Sequence, residues 1–139
     1  MQTWVLDTNV VVSAFLTSGG TCDRLLTAAF DHRFSLAYDA RILREYVGVL
    51  SRPHWRFPEG QIGHLENFLR AYGVFVEAPA LTLTFDDPDD LSFAEVALAT
   101  PDRVIVTGNR RHFIPAEKLG VEILSPTAAL ELLTRASKR

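Results

Sequence analysis

Cysteine is almost absent from this 139-residue chain, with Cys22 standing alone. No internal disulfide and no cysteine-rich zinc site can form from it, which fits a reducing compartment. Lysine is nearly as scarce, since only Lys118 and Lys138 occur among 14 basic residues. Arginine forks phosphate well, but a genome-wide base bias would give the same ratio. An excess of positive charge is also missing: 14 basic residues face 17 acidic ones, for a net charge of −3. Tight non-specific binding to nucleic acid is therefore not indicated by the overall field. Any such contact must come from a local patch or a bound cation.

Long hydrophobic runs are lacking too. The stretch from Val10 to Leu16 is broken by Ser13 and falls short of the roughly 20 residues of a spanning helix. Asp7 lies in the window where a signal peptide would sit, with no basic segment before it. The expectation is a cytoplasmic chain with no membrane partner. Gly19-Gly20 and Gly108 fit neither a phosphate loop nor a dinucleotide fingerprint. There is no nucleophile elbow and no zinc-binding His-Glu-x-x-His. Histidines 32, 54, 64 and 112 are scattered.

What is present is ordinary globular material, 47% hydrophobic and 22% charged. The length predicts a single domain over residues 1–139. A chain of this size buries about 68–70% of its unfolded surface, enough to fold without metal or disulfide.

The reading is of strands alternating with helices. Thr3-Trp4-Val5-Leu6 predicts a strand stopping at Asp7-Thr8-Asn9, with a helix from Val10 to Leu16. Thr21 is a candidate cap for a second helix, and Phe34–Ala37 a second strand. Asp39 predicts a cap for a helix from Ala40 to about Ser51, ended by Arg52-Pro53. Pro58 opens a helix to Tyr72 with Gly73 as its stop, before a strand at Val74-Phe75-Val76. Asp87 as N-cap with Pro88 next would start a helix over Leu91–Ala99. Strands at Val104–Val106 and Val121–Leu124 and a helix after Ser125-Pro126 complete the chain. The fold class expected is α/β: a three-layer α/β/α sandwich with a mainly parallel central sheet, Rossmann-like.

In such sheets ligands bind beyond the carboxyl ends of the strands, where strand order reverses. Polar residues just after strands are therefore candidates. Asp7 follows the first strand, and a helix cap is an equally good reading of it. Asn9 could cap too, or orient Asp7 through its side chain. Asp86, Asp87, Asp89 and Asp90 crowd around Pro88, and carboxylates at that density repel unless a cation or proton intervenes. Asp90 is best placed to reach the strand ends. Glu45 matters only if it converges with Asp7 and Asp90; otherwise it lies on a wet helix face beside Arg41 and Arg44. Thr107 could orient a carboxylate or water, or simply make a turn with Gly108 and Asn109.

Three carboxylates assignable to one sheet edge suggest a hard-cation site for Mg²⁺ or Mn²⁺. Such a site suits phosphodiester cleavage, with one metal or two. Arg110, Arg111 and His112 follow the site turn and could meet a phosphate backbone. Arg52, His54, Trp55 and Arg56 form a second basic and aromatic cluster, of the kind that suits single-stranded RNA. An exposed loop is the plain reading of each cluster, and the better one for the second.

Leu6-Asp7-Thr8-Asn9-Val10, Arg44-Glu45-Tyr46 with Val49 to Pro53, Asp87-Pro88-Asp89-Asp90 and Val106-Thr107-Gly108-Asn109 together resemble the PIN-domain family. The subgroup they are most similar to is the VapC-like toxin components of bacterial toxin–antitoxin pairs. The resemblance runs from Val5 to about Leu133. It implies a metal-dependent ribonuclease in which Asp7, Glu45 and Asp90 bind Mg²⁺ or Mn²⁺. Thr107 matches the family's hydroxyl position and Asn9 its supporting polar one. It also implies a homodimer that acts on RNA and is neutralised by an antitoxin protein seated in the groove. The sequence departs from the family where many members carry a fourth acid, since Asn109 and His112 stand there. Asn109 could still ligate through its amide oxygen, and Asp87 could compensate.

The alternative is a catalytically weak or inactive PIN-like module that binds RNA or protein. A phospho-acceptor switch is a poorer fit: Val5-Leu6 precede Asp7 where paired acids would be needed, and Leu124-Ser125-Pro126 lacks the lysine.

Overall fold

The chain alternates between short apolar strands and helices in a computed structural model that describes residues 1–82 and 84–137. The strands are β1 (Thr3–Leu6), β2 (Ser35–Tyr38), β3 (Val74–Phe75), β4 (Val104–Val106) and β5 (Glu122–Leu124). Among the described residues they form one sheet in the order β3-β2-β1-β4-β5, and every neighbouring pair is parallel. Trp4 pairs with Leu36 on one side and with Val104 on the other, fixing the register at the centre.

Successive side chains of a strand point to opposite faces, yet Val104, Ile105 and Val106 are all buried. Both faces of the sheet are therefore covered, as a parallel sheet requires. The covering helices are α1 (Thr8–Leu16), α2 (Thr21–Phe30), α3 (Ala40–Leu50), α4 (Glu59–Tyr72), α5 (Asp90–Leu98), α6 (Ile114–Glu117) and α7 (Pro126–Ser137). This is the α/β sandwich with a parallel central sheet that the sequence predicts. Helix α5 packs across β1, β2 and β4 and is buried almost all round, including Phe93, Ala94, Val96 and Ala97. Its largely apolar sequence follows from that position, with Asp90, Ser92 and Glu95 as its buried polar exceptions.

Helix boundaries have local causes. Asp39 Oδ1 accepts the Ile42 backbone N–H at 3.0 Å, capping α3 as expected. Ser125 Oγ accepts the Ala128 N–H at 3.0 Å and caps α7. Thr21 does not cap α2; Gly20 holds that position without a side chain to offer, and Thr21 is the first helical residue. Nor does Asp87 cap α5. The N-cap is Asp89, and the Asp87 carboxylate instead accepts the Asp89 N–H at 2.9 Å in a tight turn around Pro88. The second strand lies one residue later than expected, ending at Tyr38. Helix α1 begins two residues earlier, at Thr8.

Helix α4 ends at Gly73, whose N–H donates to the Leu69 carbonyl at 2.8 Å. A Cβ here would lie 2.5 Å from that carbonyl oxygen and 2.7 Å from a Tyr38 ring carbon. Gly73→Ala is therefore expected to destabilise the fold by about 1–3 kcal/mol. A urea midpoint equal to that of the parent would contradict the close approach.

Strand order reverses between β1 and β4. The chain moves outward from β1 through β2 to β3, then returns to β4 on the other side. Asp7 and Thr107 follow these two strands directly, so both stand at the switch point.

Candidate active site at the switch point

Asp7 leaves β1 with its N–H donated to the Val106 carbonyl at 2.9 Å, which ties the ends of β1 and β4 together. It occupies the N-cap position of α1, but its side chain makes no cap hydrogen bond. The carboxylate turns instead to the Thr107 hydroxyl, which donates to Asp7 Oδ2 at 2.8 Å. Thr107 Oγ1 in turn accepts the Asn109 N–H at 3.0 Å. Only 5% of Asp7 and 2% of Thr107 is exposed. Burial raises the Asp7 pKa above the ordinary aspartate value. The Thr107 hydroxyl, the Thr8 and Asn9 backbone and His112 pull the other way without cancelling it.

Asp90, the first residue of α5, is likewise buried. Loss of hydration pushes its pKa up to about 7, helped by the negative charges of Asp7 and Asp87 and opposed by His112. His112 Nδ1 lies 4.0 Å from Asp90 Oδ2. The other ring nitrogen, Nε2, is 3.1 Å from Asn109 Nδ2. With the amide N–H donating, that nitrogen accepts, and Nδ1–H is left facing Asp90.

Glu45 is half-buried on α3 rather than solvated on its wet face. Its pKa is raised by burial first, then by Asp89 and Asp87, while Arg52 and the Thr8 hydroxyl lower it. An open cavity of about 290 Å³ separates Glu45 and Arg44 from Pro88, Asp89 and Ser92 at the start of α5. The acids thus fall into two adjoining groups: Asp7 with Asp90, and Glu45 with Asp87 and Asp89. Among the described residues no three carboxylate, imidazole or thiol groups stand together as a finished chelate.

The remaining expected residues differ in what they contribute. Asn9 is exposed, and its side chain makes no hydrogen bond to Asp7 among the described residues; its backbone faces the carboxylate instead. Arg110 is committed elsewhere, since Nε and Nη2 donate to Glu117 at 3.0 and 2.6 Å. Arg111 is exposed.

Two residues carry more than the sequence suggested. Thr8 is only 5% exposed, and its buried Oγ1 faces Glu45, where it favours the ionised carboxylate without a well-formed hydrogen bond among the described residues. The helix-start position alone gave no hint of that. Glu95 is buried on α5, where it accepts Arg41 Nη1 at 2.6 Å and the Leu81 N–H at 2.7 Å. Arg41 also binds Asp39 at 2.8 Å. That network fastens the irregular segment following β3 to α5, and its charges are satisfied.

The contrast is informative. Glu95 is a buried acid with a full set of partners, whereas Asp7 and Asp90 by the strand ends and Glu45 on α3 all have their pKa values raised by burial. Such carboxylates, with the buried Thr8 hydroxyl, are oxygen donors of the kind a hard divalent cation takes. No helix among the described residues is long and apolar enough to cross a membrane. A family model described as PIN domain matches residues 3–111, from the start of β1 to just beyond the turn after β4. No curated protein matches the chain.

Proposed function

The chain belongs to the PIN-domain family, and from that premise we propose that it is a Mg²⁺- or Mn²⁺-dependent endoribonuclease, the toxin of a toxin–antitoxin pair. PIN domains are generally nucleases, hydrolases of phosphodiester bonds, and typically use divalent metals. The observation carrying the reading is the Asp7–Asp90 pair, buried at the switch point with the Asp90 pKa pushed up to about 7. Buried carboxylates whose pKa values are raised in this way are poised to exchange a proton for a cation.

Asp7, Glu45 and Asp90 would hold the ion, with Asp87 and Asn109 as further oxygen donors. When bound, such an ion supplies an activated water and neutralises charge on the phosphate. Thr107 fixes the orientation of Asp7 through its 2.8 Å hydrogen bond. His112, braced by Asn109, stands beside Asp90 where an anionic backbone would pass, and Arg111 adds a positive charge to that edge. Arg110 contributes less, because Glu117 already neutralises it. In this reading the protein is a cytoplasmic homodimer restrained by an antitoxin.

The test is cleavage of a mixed-sequence single-stranded RNA by the purified chain. Cleavage at millimolar Mg²⁺ or Mn²⁺ that stops with a chelator and returns with excess metal is the expected result. Cleavage that persists with the chelator, or none at any metal concentration, would contradict it. One observation favours the second reading, a binding module: among the described residues the acids do not stand together as a finished chelate. RNA binding without metal-dependent cleavage would select that module.

A further inference from the structure

We infer that the shoulder formed by Arg52, His54, Trp55 and Arg56 is a base-stacking subsite for single-stranded RNA beside the candidate site. The inference rests on the ribonuclease reading for its substrate and adds where that substrate is gripped.

The chain leaves α3 through Arg52-Pro53 into a short 3-10 turn, Pro53–Trp55. Arg56 follows in left-handed backbone geometry, with φ of 57°. That bend stacks the rings of the segment. The exposed His54 ring lies 4.3 Å from Trp55, tilted by 39°. Trp55 lies parallel to Phe57 within 7° at 5.7 Å, and Phe57 meets Phe15 edge-on at 5.2 Å. Phe15 sits near the end of α1, the helix that begins at Thr8 beside Asp7. The stack is therefore anchored to the same two helices, α1 and α3, that carry Thr8 and Glu45. The Trp55 indole N–H is buried without a partner among the described residues, so its packing is through the ring.

Charge selects the occupant. Between Leu50 and Pro58 there is no acidic residue. Arg52 lies just past the end of α3, the helix that carries Glu45. Arg56 has no hydrogen-bond or ion-pair partner among the described residues, unlike Arg41, Arg70 and Arg110. An exposed ring at the end of an aromatic stack, flanked by guanidinium groups, suits an unpaired base with its phosphates. A duplex offers no free base face to it.

Trp55 supplies the readout, because Trp4 is buried in the core with 1% exposure. With metal chelated so that the RNA stays intact, a single-stranded oligoribonucleotide is expected to quench Trp55 fluorescence saturably. His54→Ala should weaken that binding by at least about fivefold, the lower end of what one stacked base contributes. Arg56→Gln should reduce the salt slope of log affinity by about 0.7, the loss of one phosphate contact. In metal-dependent cleavage both variants should raise KM and leave kcat within about twofold. Parental affinity and salt slope in both variants, or equally tight binding of duplex RNA, would overturn the subsite even if cleavage is intact. Absence of cleavage by the parent chain would instead count against the ribonuclease reading, and the fluorescence titration would still decide the subsite.

Discussion

Asp7→Asn is expected to lower RNA cleavage by on the order of 10³-fold, the scale seen when one charge-stabilising group is lost from a reacting centre. The same variant should be as stable as the parent or more so in the absence of metal. Asp7 is 5% exposed and held above its ordinary pKa by burial, so its ionised form is a cost to the fold. Asparagine keeps the shape and can still accept the Thr107 hydroxyl, which now bonds Asp7 at 2.8 Å. What it removes is the negative charge. Single-turnover cleavage and urea denaturation on the same preparation separate the two effects. A variant that cleaves like the parent would remove Asp7 from the chemistry, whereas a variant that unfolds would make its role structural.

The second large effect is on stability against pH. Asp90 has an ordinary value of 3.8 and a folded-state value of about 7. Between these, the folded chain holds a proton that the unfolded chain has released, so stability falls as pH rises through that window. Below about 4 the contribution is fully present, and above about 7 it is gone. A shift of this size corresponds to at most roughly 4 kcal/mol, and partial solvent screening reduces it to about 2 kcal/mol. Asp7 and Glu45 are raised in the same direction and add to the slope. Urea denaturation of metal-free protein at pH 5, 6, 7 and 8 should show the decline, and Asp90→Asn should flatten it. Mn²⁺ should reverse the trend, raising Tm more at pH 8 than at pH 6 because protons and metal compete for the same oxygens. A flat profile in the parent, or a metal effect independent of pH, would contradict the shared site.

The order of strands and helices was readable because each element carries its own period or stop. Val104-Ile105-Val106, the Asp39 cap and the Gly73 stop needed no tertiary information. The placement of Asp7 and Thr107 at one edge followed from a general property of parallel sheets. What stayed hidden depends on contacts between distant residues. Glu95 reads as one more charge on a helix until Arg41, 54 positions away, closes on it. Arg110 reads as a free cation until the turn after β4 folds it against Glu117. The buried Thr8 hydroxyl facing Glu45 needs the packing of α1 against α3 to become visible. Asp87 was the plausible cap by position alone. The turn around Pro88 passed that place to Asp89 and left Asp87 facing the acids it repels.

In the proposed ribonuclease reading, these differences move the expected RNA contacts from the segment after β4 toward the shoulder after α3. They leave the centre of the proposal where two strands part.

A crystal of this chain grown or soaked with MnCl₂, and measured near the manganese absorption edge, addresses that centre without relying on an activity. The expected map has an anomalous peak bonded to Asp7 and Asp90, with Glu45 reaching it directly or through water. Manganese bound only elsewhere, or absent at millimolar concentration while positions 7, 45 and 90 keep their present separation, would show that these acids do not share an ion.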